Sequence, residues 1–346
     1  MPQQPVRIIG AGIGGLTLGR CLLKHGVPAV LYERMPSTPR HSYGVTLHAS
    51  SYMPLLDILG LDEFTFRRRI AVDASLGGNG HIEPKSMVYP GKTNSVSFRA
   101  HREKLEKLLR EGLDVQWEHP LEKVEETSSG VALYLQNGQK IESSCRRVKR
   151  ALFDSIYAPA FKGSNVLEMK MGNHVLNVSI NEQQADMVSV SWIFSRPARG
   201  PTDPLHKPNR PVSGATDIPE EFFDEVKNLR GLSQPFKEIF DAEKLKMERV
   251  LHWLMRTVLV KQQELHALAK KGVFFMGDSV HAEPILGGEG ANNAITDGIE
   301  LAKCISASGP SGIRSWYEAR YPVWERGIRN SENAIIAMHN SHKASL

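Results

Sequence analysis

No run in this 346-residue chain approaches the roughly 18–20 consecutive apolar residues that cross a membrane as a helix. The most apolar region, 8–31, is broken by Arg20, Lys24 and His25. The N-terminus lacks an apolar signal-peptide core and leads straight into a strand-like Val6–Ile9. Cysteine is scarce: Cys21, Cys145 and Cys304 form no CxxC and no zinc-like spacing. That excludes a disulfide framework and offers no metal-ligand set. A reducing, cytoplasmic setting is the expectation. An excess of one charge is lacking too. The 43 Lys and Arg against 38 Asp and Glu leave +5, and the basic runs at 67–69 and 146–150 are short. They read as solvated faces or phosphate-compensating charge, not as a nucleic-acid surface. Internal repeats are absent.

What is present begins as a βαβ unit over 6–33. VRIIG is a short apolar strand, 14–25 has helical periodicity, Gly26 sits where a helix C′ glycine belongs, and AVLYE is a second strand. Between the first strand and the helix lie Gly10, Gly12 and Gly15, a GxGxxG. The first glycine permits the tight turn, the second lets the backbone approach a pyrophosphate, and the third allows close strand–helix contact. Ile13 and Gly14 belong to the same turn, and the helix start offers N–H groups to phosphate. Glu33 ends the second strand, where an acid can bind a ribose diol; Arg34 follows it. This fingerprint by itself fits NAD and FAD equally.

The middle of the chain is strand-rich. HVLNVSI and MVSVSWIF, within 173–194, read as strands, and RVLHWLM (249–255) can be a third. Alternation puts Asn177 and Ser179 on one face of their strand. An Asn137-Gly138 turn predicts a hairpin over 131–142. Residues 197–219 are proline-rich and loop-like, and 220–244 is an amphipathic helix. GVFFMG (272–277) reads as a buried strand, and helices are expected over 291–306, 311–326 and 328–342. The pattern is α/β: a nucleotide-binding domain interrupted by a smaller sheet domain, with C-terminal helices.

The late segment GDSVHAEPILGGEGANNAITDG, 277–298, narrows the ligand. Asp278 can reach a second, sugar-like polyol, and Gly277 leaves room for it. Gly288, Gly290, Ala291 and Asn292 open another helix whose N-terminal N–H groups can stabilise a flavin ring's negative charge. Two anion-binding helix starts far apart in sequence point to one long dinucleotide held at several places, hence FAD.

With GAGIGGLTLG and Glu33-Arg34, with Arg102 opening HREKLEKLL, and with this late segment, the chain resembles the single-component FAD-dependent aromatic hydroxylases of the p-hydroxybenzoate and salicylate hydroxylase type. The resemblance spans nearly the whole chain. It implies a Rossmann-like FAD-binding domain over 1–75, 96–165 and 263–346, and a substrate domain over 76–95 and 166–262. It also implies hydroxylation of an aromatic or polycyclic small molecule by a monomer or homodimer, with FAD as cofactor and NAD(P)H and O2 as co-substrates. Arg102 would contact the FAD phosphate region, and Pro284 would lie beside the flavin ring. His48, with Tyr43 and His174, is a candidate base. Tyr52, Met171, Asn177, Trp192, Phe194, Trp253 and Met255 are candidate pocket residues.

One family feature is missing. A GADGxxS-x-VR motif should follow the 131–142 hairpin. Here Ile141-Glu142-Ser143-Ser144-Cys145 runs straight into Arg146-Arg147-Val148-Lys149-Arg150. The motif's strand would belong to the central sheet, and its loop would help hold the cofactor. A weakened FAD site is therefore expected. The alternatives are a flavin-free homologue, acting as a small-molecule binding protein or a cofactor-independent isomerase or cyclase, and an NAD dehydrogenase. The latter leaves 277–293 without a purpose.

Overall fold

The computed structural model describes residues 5–37, 42–83, 97–127, 130–135, 146–206, 216–252, 257–284 and 289–340. The chain opens with β1 (Val6–Ile9), α1 (Ile13–Lys24) and β2 (Ala29–Glu33). Then come β3 (Gly44–Leu47), α2 (Ala49–Leu59), α3 (Glu63–Ile70), β4 (Phe98–His101), α4 (Arg102–Arg110) and β5 (Asp114–Trp117). A hairpin of β6 (Leu121–Thr127) and β7 (Gly130–Leu135) follows, then β8 (Arg146–Lys149), α5 (Arg150–Leu152) and α6 (Ala158–Phe161). Strands β9 (Val166–Met171), β10 (His174–Gln183) and β11 (Met187–Ser195) lead to α7 (Glu220–Lys227), α8 (Phe236–Ile239) and α9 (Ala242–Lys246). The last part holds β12 (Val258–Leu259), α10 (Gln262–Ala269), β13 (His281–Ala282), α11 (Gly290–Ser308) and α12 (Ile313–Asn340).

β1, β2 and β5 form a parallel sheet in that order. α1 lies against it because Ile13, Leu16, Leu18, Cys21 and Leu22 fall on one buried face. Two glycines bring it close. A Cβ at Gly15 would sit 2.0 Å from the Gly10 carbonyl oxygen, and one at Gly19 would sit 3.0 Å from Leu31. β3 and β4 pair antiparallel beside this layer, their Leu47, Phe98 and Ala100 buried in the first core.

The second sheet runs β8-β11-β10-β9, antiparallel throughout. One face carries Leu176, Val178, Ile180 and Val190 and packs with Trp192, Phe194, Phe222, Phe236 and Phe240 in a second core. The opposite face is polar. Asn177 and Ser179 lie on it, as the alternation requires, and the Ser179 hydroxyl donates to Asn177 Oδ1 at 2.7 Å. The second core takes in Val148, Phe153, Tyr157 and Phe161, although the sequence reading carried the first domain through residue 165.

Several expected elements differ. The Val131 strand pairs with 121–127, and Asn137-Gly138 and 139–142 of the expected hairpin lie outside the described residues. Residues 249–252 form no strand, and the sheet is completed by β8 and β9 instead. The helix over 220–244 breaks into three pieces around Pro235. The final two helices are one, α12, running through Pro322, because Trp324, Ile328 and Ser331 carry a continuous buried stripe past it.

The strand expected at 272–277 is also not made: 273–276 has no ladder partner among the described residues. Strand structure needs a neighbour, and the family motif missing after Cys145 would add a strand to the central sheet. Among the described residues β1 pairs with β2 alone, and Ile9, which a central strand would bury, is 42% exposed. Tyr317 takes over part of the missing ladder. Its hydroxyl accepts the Phe275 N–H at 2.8 Å and donates to the Phe275 carbonyl at 3.1 Å.

Candidate active site

α1 and α11 pack side by side. Cβ atoms at Gly14 and Gly298 would meet Ala294 at 3.4 Å and Leu18 N at 2.9 Å, respectively. Residue 14 thus faces 294, and 17–18 face 298. The helices run parallel with their N-termini adjacent. Neither start has a side-chain cap. Two positive dipole ends with uncapped N–H groups therefore converge, which favours a polyanion. The Gly10 φ of +96° makes the turn, and a Cβ at Gly10 or Gly12 would meet nothing within 4 Å, so the loop is open to a ligand.

The Gly277-Asp278 turn lies across both starts. Gly277 adopts φ +60° and faces Ala294; Met276 faces Gly14; Asp278 Oδ1 would be 3.6 Å from a Cβ at Gly290. Asp278 is exposed and Pro284 buried. Ala291 packs partly buried against the first core. Gly288 lies outside the described residues, as do Cys145, Trp253 and Met255.

At the other end Glu33 is 5% exposed. Its two carboxylate oxygens accept the Ala11 N–H at 2.7 Å and the Met35 N–H at 2.9 Å, which fixes the glycine loop against the tip of β2. Arg34 is exposed. Arg102 is turned onto protein groups: it donates to Glu106 at 2.8 Å and to the Tyr43 hydroxyl, with its guanidinium 5.2 Å from the Tyr43 ring centre.

His48 caps α2. Its N–H donates to Asn292 Oδ1 at 2.9 Å, its Nδ1 is 2.8 Å from Ser97 Oγ, and its Nε2 is 3.6 Å from Glu289. Asn292 is 4% exposed and also accepts from Ser51 and donates to the Thr46 carbonyl at 3.1 Å. Its side chain is a clamp between α11 and the β3–α2 corner, which brings His48 to the α11 start. Tyr52 is fully buried between Phe66 and Phe98 and lines the core, not a pocket. Trp192 and Phe194 pack with Phe222 and Phe240 on the apolar side of their sheet. His174 faces Phe194 and Glu225.

A hub that sequence reading missed underlies the turn. Asp297, fully buried, accepts the Gly277 N–H at 3.0 Å and His281 Nε2 at 2.6 Å on one oxygen. The other accepts Arg320 Nε and Nη2 at 2.9 and 2.6 Å and Trp324 Nε1 at 3.0 Å. Burial pushes its carboxyl up, and the His281, Arg320 and Trp324 contacts outweigh that and hold it below the ordinary aspartate value. The spacing of Arg320 and Trp324, four apart on one helix face, was the available signal. A surface cleft of about 360 Å³ near Arg199, Asp203, Glu221 and Glu225 contains none of these residues.

The helix starts, the open glycine loop, Glu33 and Asp278 fit FAD at both ends; among the described residues no strand supports its middle. Comparison with known proteins decides the family. A model of the FAD binding domain matches residues 3–149 and 154–326. The chain belongs to this family of FAD-dependent monooxygenases. It is 31% identical to the FAD-dependent monooxygenase nscC of Arthroderma benhamiae over 394 positions, covering 97% of this chain and 95% of the relative. It is 29% identical to nscC of Trichophyton rubrum over 397 positions, covering 99% and 96%. Both alignments are longer than the 346-residue chain, so each relative carries residues opposite internal gaps here. The family match itself breaks at 149, just past the junction where the middle motif belongs. The fold also matches Klebsiella pneumoniae HpxO complexed with FAD and uric acid, with TM-score 0.63 at 13% identity, over 99% of this chain and 90% of that one. Among the described residues no helix is long and apolar enough to cross a membrane.

Proposed function

We propose that this enzyme hydroxylates an aromatic or polycyclic small molecule, using FAD, NAD(P)H and O2. The observation that carries the reading is the parallel packing of two uncapped helix starts under the Gly277-Asp278 turn. FAD would lie from Glu33, past Gly10, Gly12, Ile13, Gly14 and Gly15, to Asp278, with its ring end at 290–292. Bound there, FAD supplies hydride acceptance and oxygen activation. The protein's part is to anchor anionic oxygens at the helix starts, to wall the ring with the buried Pro284, and to hold His48 ready to exchange a proton. The His48 ring is paired with Ser97 and Glu289, which orients it. The nscC relatives, described as FAD-dependent monooxygenases, support this reading over a flavin-free binding protein.

The test is a FAD titration of the purified chain followed by flavin fluorescence, then NAD(P)H oxidation with and without hydroxynaphthoate probes. Saturable FAD binding with probe-stimulated NAD(P)H oxidation is expected, the binding being weak because the middle support is lacking. A protein that binds no FAD would sink the hydroxylase reading and reinstate the flavin-free one.

A further inference from the structure

Arg99 pairs with Thr46 across the β3–β4 ladder. Its neighbours Phe98 and Ala100 point into the first core, so Arg99 points the other way, toward the polar face of the second sheet. A Cβ at Gly44 would lie 2.6 Å from Arg99 Nε and 2.9 Å from the Ile180 carbonyl oxygen. The guanidinium thus fills the space that the missing side chain at 44 leaves. Nη1 reaches Thr46 Oγ1 at 3.3 Å, while Nε is buried with no partner. Among the described residues no carboxylate pairs with Arg99. Burial pushes it down to about 10, so it keeps its charge at neutral pH.

Asn181 meets the same glycine from β10. It is fully buried, and its Oδ1 accepts the Gly44 N–H at 3.0 Å and Ser191 Oγ at 3.2 Å. Only an oxygen can accept the Gly44 N–H, so the amide orientation is fixed and Nδ2 is the outward group. Nδ2 is buried and unpartnered. Buried donors are nearly always paired. Two orphaned donors, one of them charged, flank one glycine between the two cores, and what they lack is an anionic acceptor.

We infer that Arg99 and Asn181 form the anchor for an acidic oxygen of the substrate, a carboxylate or a phenolate on the aromatic frame. The aromatic character of that ligand rests on the proposed function; the need for an anion does not. Neither residue is visible as a site in the sequence, because residues 99 and 181 meet only through the contact of β3 with β10.

The test uses the full chain, with 3-hydroxy-2-naphthoate as the anionic probe and 2-methoxynaphthalene as the neutral one, by calorimetry. Arg99→Met removes the charge. Asn181→Asp keeps the acceptor for Gly44 and turns the outward donor into an anion. Each should weaken the naphthoate at least about tenfold, the loss expected of one charge-assisted hydrogen bond. Each should change the neutral probe by less than about threefold. Arg99→Met should also raise the thermal midpoint, because an unpaired buried donor has gone. FAD affinity, measured in parallel, should be unchanged. The inference is overturned if the unaltered chain does not bind the naphthoate, or if both probes weaken equally with a lowered midpoint, which marks a packing role. It is equally overturned if FAD affinity falls while naphthoate binding holds, which assigns the anion to the cofactor. Failure of the FAD titration with naphthoate discrimination intact would remove the hydroxylase reading and leave this anchor standing.

Discussion

At the scale of single residues, Asp297 carries more than any glycine of the fingerprint. Its two oxygens accept from Gly277, His281, Arg320 and Trp324, and through Gly277 it sets the turn that crosses both helix starts. Asp297→Asn keeps the volume but replaces one acceptor with a donor and leaves Arg320 without its charge partner. Breaking a buried pair in this way costs roughly 3–5 kcal/mol, to be read from urea midpoints. The sign of its pH dependence follows from a carboxyl whose folded-state pKa is below its unfolded value of 3.8. The stabilisation is fully present above about pH 4 and is lost as pH falls through the lower, folded value. The parent should therefore lose stability on acidification below about pH 4 more steeply than the variant. Parallel acid limbs for the two proteins would remove Asp297 from that role. This residue was hard to read in advance for a physical reason. The need for glycine at 15 is local, set by a backbone oxygen five residues away, and shows in the sequence. The need for aspartate at 297 is set by donors from the turn at 277, from β13 and from α12, and shows only in the fold.

Elements were legible where their structure depends on their own residues. The βαβ start and the β10–β11 pair form where periodicity and turn residues place them. Those that failed depend on a neighbour. GVFFMG has the composition of a buried strand, yet among the described residues 273–276 finds no strand to pair with. β9, by contrast, has an unremarkable sequence, VLEMKM, and becomes a strand because β10 offers it six paired positions. Tyr317 shows how the protein meets the vacancy. Its buried hydroxyl, pushed up to about 12 by desolvation, stays neutral and can both donate to and accept from Phe275. Tyr317→Phe leaves both backbone groups of Phe275 without that partner. The expected cost is about 1–3 kcal/mol, with faster hydrogen exchange at the Phe275 amide. A variant as stable as the parent would show that water or backbone serves Phe275 instead.

At the scale of the whole molecule, the two cores and the side-by-side helix starts persist around a gap in the central sheet. Ile9 on β1 is exposed, and 273–276 has no ladder partner among the described residues. The family match breaks just past the same junction, and the relatives align over more positions than this chain has residues. A parallel strand inserted there would pair its backbone groups with β1 and with 273–276, bury Ile9, and carry a loop toward the two helix N-termini. Each of these effects acts on cofactor binding in the same direction, since a fixed loop loses less freedom when a ligand docks. Inserting a strand-plus-GADG segment after Cys145 should therefore tighten FAD at least about tenfold, an increment of about 1.4 kcal/mol. It should also raise the thermal midpoint and slow amide exchange along β1. A scrambled insert of equal length is the control, because length alone supplies none of the ladder bonds. Equal FAD affinity in the two inserted proteins would mean that the helix starts and Asp278 hold the cofactor unaided. The gap would then be a tolerated feature of a competent enzyme, and the unpaired edges beside it would carry no functional cost.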